Sequence, residues 1–158
     1  MVLKVSKKIK LGILIPSIVI LGFIRDYFFV NINWVYLTLT INRKNAARPE
    51  FYGLLEWSVD EILILKWFLT ILFFLIYLGM TLWIIHIGFK KRAYNITTLI
   101  LYAGIFAISG FLYVIGWATG TGGELYAVIH WLMSLTQSFF PLMILGIIFK
   151  FLPHSDED

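Results

Sequence analysis

Arg25, Asp26, Lys66, Glu124 and His130 stand out because each lies within or beside a long apolar run. An ionisable group is expensive there and is kept only when paired, hydrated or put to use. If the runs cross a bilayer in alternation, all five residues arrive at one end of the bundle at similar depth. Cations and carboxylates at one level could neutralise each other, or could hold a lipid headgroup, a peptide carboxylate or an amine. The plainer reading is that Arg25, Asp26 and Lys66 sit near the ends of their runs and simply reach out to water.

Two further patterns carry polar chemistry into oily segments. Lys66, Thr70, Tyr77 and Thr81 recur at helical spacing along one run, and His130, Ser134, Gln137 and Pro141 do so along another. Polar groups at that depth face protein or a wet cavity, so the stripes predict interhelical hydrogen bonds or, as the alternative, a transport pathway. Pro141 lacks an N–H and leaves the carbonyl of Gln137 without its helical partner, which predicts a kink. Ala103, Ala107 and Gly110 place small residues on one face of a third run. Such a face lets backbones approach closely, within the protein's own bundle or across a dimer.

Most catalytic and cofactor chemistry is absent from the sequence. With no cysteine, thiolate nucleophiles, thiolate metal sites and disulfides drop out together. His86 and His130 belong to opposite ends of the expected bundle, so one metal cannot use both. No H-E-x-x-H is present, and Gly120, Gly122 and Gly123 fall in a turn between apolar runs, where no dinucleotide fingerprint would lie. The expectation is no catalytic residue, no metal and no cofactor.

The elements that must position these residues follow from composition. The chain is 60% hydrophobic and 14% charged, against roughly half and a quarter in soluble domains. Four apolar runs, 11–30, 62–89, 96–117 and 125–152, each reach the ~20 residues that a crossing helix needs. The first has full span length and no small-residue cleavage site, so it is expected to be retained. Lys4, Lys7, Lys8, Lys10, Lys90, Lys91, Arg92 and Lys150 flank one side of the runs, whereas Arg43, Lys44 and Arg48 flank the other. Basic residues resist export, which predicts cytoplasmic N and C termini. A net charge of +4 distributed in this way marks topology, and nucleic acid is not an expected partner.

The fold predicted is an all-α membrane protein, a single domain over 1–158 built as a four-transmembrane-helix up-down bundle. The long outer loop, 31–61, forms its cap. Asn31, Asn33, Tyr36, Thr38 and Thr40 alternate with apolar residues, which predicts a short strand over 31–41. Phe51, Leu54, Leu55 and Val59 recur at helical spacing and predict a short amphipathic helix over 50–61, with Trp34, Tyr36, Tyr52 and Trp57 at the membrane interface. The tail 154–158 is expected to fray.

Three stretches carry a resemblance: Phe-Ile-Arg-Asp-Tyr-Phe-Phe-Val-Asn-Ile-Asn over 23–33, Leu-Lys-Trp-Phe-Leu-Thr over 65–70 and Gln-Ser-Phe-Phe-Pro-Leu-Met over 137–143. With them the chain resembles small four-helix membrane proteins of Bacteroidota and, more distantly, the accessory membrane proteins of exosortase systems. That resemblance implies an inner-membrane location and an accessory role. The functional expectation is a non-catalytic scaffold subunit of a larger envelope complex concerned with export or surface sorting, with membrane lipids and other envelope proteins as partners. The alternatives are a small transporter or membrane enzyme acting on a lipid or metabolite at the outer end, and a homo-oligomer packed through the third helix.

Overall fold

The computed structural model describes residues 6–152, with Gly122 and Glu124 as backbone only. Helices α1 (Lys7–Ile41), α2 (Val59–Phe89), α3 (Arg92–Thr119), α4 (Gly122–Thr136) and α5 (Phe140–Phe151) account for nearly all of them, and no strand is present among the described residues. Helices α1, α2 and α3 are long and apolar enough to cross a membrane, and α4 with α5 makes a fourth crossing if the bent pair is one span. The predicted tail, 154–158, lies outside the described residues.

Exposed surface is where the bilayer shows itself. Trp117 is 81% exposed, Phe151 77% and Phe23 73%. Apolar patches of this kind are avoided in water and are at home against hydrocarbon. The chain is embedded in a membrane, and its outward faces contact lipid.

Helix α1 corrects two expectations. Its 35 residues would reach about 50 Å at ~1.5 Å per residue, well beyond a ~30 Å hydrocarbon layer. The strand predicted over 31–41 is instead the last turns of this helix. Its polar residues satisfy themselves locally: Thr38 Oγ1 donates to Trp34 O at 2.9 Å, and Thr40 Oγ1 to Tyr36 O at 2.8 Å. The buried residues Asn31, Ile32 and Val35 fall on one helical face, which the period-two alternation had obscured.

Asn42, with φ 50°, ends α1 in the left-handed conformation. The chain then folds back as a 3-10 helix, Pro49–Glu56. The amphipathic helix predicted over 50–61 is thereby corrected to two elements, because Ser58 starts α2. Ser58 Oγ accepts from Glu61 N, while the Glu61 carboxylate accepts from Ser58 N at 2.8 Å, a reciprocal cap that assigns 59–61 to α2. Asn31 fastens the cap from below, with its side chain donating to Tyr27 O and accepting from Arg48 N at 2.8 Å. Phe51 seats against Tyr27 and Phe28 edge to face.

Helix α2 is the hub and touches α1, α3, α4 and α5. Near its middle Gly22 of α1 lets Tyr77 approach, and a Cβ there would lie 3.2 Å from the tyrosine oxygen. At its C-terminal end Tyr94 stacks flat on Phe149 at 4.2 Å, with Phe89 edge-on to both, which ties the starts and ends of α2, α3 and α5 together.

The run 125–152, expected as one kinked helix, is broken more sharply. Pro141 cannot donate to the carbonyl of Gln137 and its ring would clash with it. Ser138 turns its hydroxyl to Leu135 O and accepts from Phe140 N, so α4 and α5 meet at 58°. The small residues of α3 are also placed differently from expectation. Ala103, Ala107 and Gly110 all face outward, while Tyr102 and Ser109, the residues preceding two of them, form the buried seam of α3.

Candidate functional site

The break between α4 and α5 turns the Gln137 side chain inward, where it is 2% exposed. Gln137 Oε1 accepts from Arg25 Nε of α1 at 3.1 Å, and its Nε2 donates to Thr70 O of α2 at 3.0 Å. Arg25 Nη2 donates to Ser134 Oγ at 3.0 Å, and Nη1 pairs with Asp26 Oδ1 at 2.8 Å. The guanidinium also lies over the Phe29 ring, 5.0 Å from its centroid. One arginine thus joins α1 to α4, and one glutamine joins both to α2. The bonds to Gln137 and Ser134 are made in a medium of low dielectric, where leaving a polar group unpaired would be costly.

Above this knot the helices part around a cavity of about 410 Å³, inside the ~300–1,000 Å³ range of small-molecule sites. Arg25, Lys66 and His130 line it, together with Asn33, Tyr36, Thr70, Ser134 and Gln137. The Lys66 ammonium stands 4.7 Å from the centre of the Tyr36 ring. Among the described residues it has no hydrogen bond and no ion pair. Tyr126 and His130 place their rings 5.9 Å apart on the opposite wall. No described lining residue is a carboxylate.

The structure therefore gathers Arg25, Lys66 and His130 around one space, and sorts the other candidates differently. Asp26 is 64% exposed and meets the cavity only through its ion pair with Arg25. The Glu124 side chain lies outside the described residues. Thr70 turns its hydroxyl to Lys66 O. Tyr77 and Thr81 sit deeper in the bundle, outside the lining, with Tyr77 directed at Ile18 O and Thr81 bonded to Tyr102 Oη at 3.0 Å. His86 lies at the far end of α2, 3.2 Å from Asn95 Nδ2.

Asn33 and Tyr36, expected in a strand of the outer cap with Tyr36 at the membrane interface, are lining residues of the cavity. Positions 25, 29, 33 and 36 follow helical spacing, so a continuous α1 would have brought Arg25, Phe29, Asn33 and Tyr36 to one face. Trp67 and Tyr113, in edge-to-face contact at 5.1 Å, were also missed and form a wall of the cavity. Their pairing joins α2 to α3, and nothing local to either residue announces it.

Comparison with family models, curated proteins and solved structures returns no match for this chain.

Proposed function

We propose that this protein crosses the inner membrane four times with both termini in the cytoplasm, and that it binds a small anionic molecule in the cavity at the external end of the bundle. The orientation rests on the crowding of Lys and Arg beside one set of helix ends. The binding reading rests on one observation: Arg25 and Lys66 open onto the same cavity, with no carboxylate among its described lining residues. Two cations at one site repel, and low-dielectric walls amplify both that repulsion and the attraction for an anion. Arg25 keeps unused donors, because each Nη carries a second N–H. A phosphate or carboxylate placed between Arg25 and Lys66 relieves the repulsion and fills those valences.

The role is non-catalytic. The hydroxyl of Ser134, which lines the cavity, accepts from Arg25 Nη2 at 3.0 Å, and the site is suited to holding a charged group. An accessory subunit of an envelope complex that displays or senses such a ligand is the biological role this reading favours.

The test is calorimetry on the detergent-purified protein with dihexanoyl phosphatidate and, as the uncharged counterpart, dihexanoylglycerol. Phosphatidate is expected to bind at least ~10-fold more tightly, about 1.4 kcal/mol, and Lys66→Gln is expected to remove most of that preference. Equal affinity for the two probes, or a Lys66→Gln variant that keeps the preference, contradicts the proposal.

A further inference from the structure

We infer that the anion is the head of a membrane phospholipid and that one of its acyl chains lies in a slot between α2 and α3; this inference rests on the anion-binding reading above. A second cavity of about 400 Å³ adjoins the first, and Trp67, Thr70, Tyr113, Ile129 and Met133 line both. The two spaces are thus two sides of one partition, whose centre is the edge-to-face pair of Trp67 and Tyr113.

Their chemistry is opposed. Arg25, Lys66 and His130 belong to the first cavity and not to the second, which has no charged group among its described lining residues. Of the two hydroxyl-bearing residues it shares with the first, Thr70 and Tyr113, Thr70 is already bonded to Lys66 O, and the one further hydroxyl among its described lining residues is that of Ser109, buried and without a hydrogen-bond partner. At the outer mouth of the slot stand Gly110 and Val114, both exposed to the surrounding lipid. A Cβ on Gly110 would meet nothing within 4 Å, so the glycine leaves open space where almost any other residue would begin to fill it. A charged chamber that shares a wall with an oily slot open to the bilayer matches a molecule with a charged head and a hydrocarbon tail. In a bilayer that molecule is the phospholipid already pressing on this face. Its phosphate would meet Arg25 and Lys66, and its chain would pass beside the Trp67–Tyr113 partition into the slot.

The experiment is native mass spectrometry of the purified full chain with dioleoyl phosphatidate and dihexanoyl phosphatidate, on the wild type, Gly110→Phe and Ile108→Phe. Gly110→Phe fills the slot, whereas Ile108→Phe adds bulk to the exposed face outside its lining. Val114→Trp fills the same slot one turn further on and replaces Gly110→Phe if that variant does not purify. The wild type is expected to hold the long-chain lipid at least ~10-fold more tightly than the short-chain one. Gly110→Phe should bring the long-chain lipid down to the short-chain level, leave short-chain binding unchanged and keep the wild-type oligomeric state, while Ile108→Phe behaves as wild type. If the wild type shows no chain-length preference, or if Gly110→Phe keeps it, the chain lies elsewhere and the inference is overturned while head binding stands. If neither lipid binds the wild type, the anion-binding reading fails first and the inference goes with it.

Discussion

Replacing Gln137 by Leu removes the group that joins three helices at the α4–α5 break, and its effect can be worked from the bonds it makes. Arg25 Nε loses its acceptor at 3.1 Å, and a hydrogen bond to a charged group contributes about 1.5–3 kcal/mol. The neutral bond from Gln137 Nε2 to Thr70 O is also lost, and interhelical bonds of that kind average ~0.6 kcal/mol in a bilayer protein. Leucine is of similar size and more apolar, so packing returns roughly 1 kcal/mol at a site this buried. The net expectation is destabilisation by about 2 kcal/mol, or roughly 4–8 °C in melting temperature for a chain of this length. The six tryptophans provide the signal for thermal melts and for detergent-driven unfolding. A second variant isolates that bond: Arg25→Leu combined with Gln137→Leu removes both of its partners, so no guanidinium is left facing a missing acceptor, and although the exposed Asp26 loses its ion-pair partner, the double mutant should be less destabilised than the sum of the two single changes. A melting shift under 1 °C for Gln137→Leu, or strictly additive effects in the pair, would refute the claim that this knot holds the helices together.

Two other variants test the packing that positions the site. Pro141→Ala restores the missing N–H and removes the ring clash, so α4 and α5 should straighten from their 58° bend; spin labels at the outer ends of the two helices should move apart by several ångströms, and an unchanged distance would show that the proline is not the cause. Gly22→Ala sets a methyl 3.2 Å from the Tyr77 oxygen, which should destabilise by about 1 kcal/mol as a case of overpacking. Tyr77→Phe removes that oxygen and should relieve most of the penalty in the double mutant, whereas full persistence of the loss would place its origin elsewhere.

How far the sequence foretells this molecule depends on whether a feature is carried by one segment or by two. Apolar runs are properties of single segments: α2 contains the predicted run 62–89 with three residues added at its start, and α3 contains 96–117 with a few added at each end. Helix α1 overran its prediction because Asn31, Asn33, Thr38 and Thr40 mimic strand alternation, while in a membrane helix threonine hydroxyls return to the preceding turn and present no obstacle. Asn31 is held by Arg48, 17 residues later, a contact no local pattern encodes. The proline kink was visible from Pro141 alone, but its depth depended on Ser138 capturing backbone groups on both sides of the break.

For the site, Arg25, Lys66 and His130 meet at one cavity, and their common depth is legible because depth follows from position along a span. Partner choice does not. Arg25 and Gln137 are separated by 112 positions, and their bond arises only because the α4–α5 break aims the glutamine at α1. The same limit applies to Ala103, Ala107 and Gly110, where spacing defined a face correctly but could not say that this face turns to lipid.

The cavity opens to the outside only if the chain crosses four times, with the α3–α4 turn on the opposite side of the membrane from the basic α2–α3 turn. The absence of native cysteine makes a direct measurement simple: single cysteines at Arg92 and Thr121, labelled in intact cells with a maleimide that cannot cross the membrane. Thr121→Cys is predicted to label from outside, and Arg92→Cys only after the membrane is permeabilised. Labelling of both from outside, or of Arg92→Cys alone, would contradict the account.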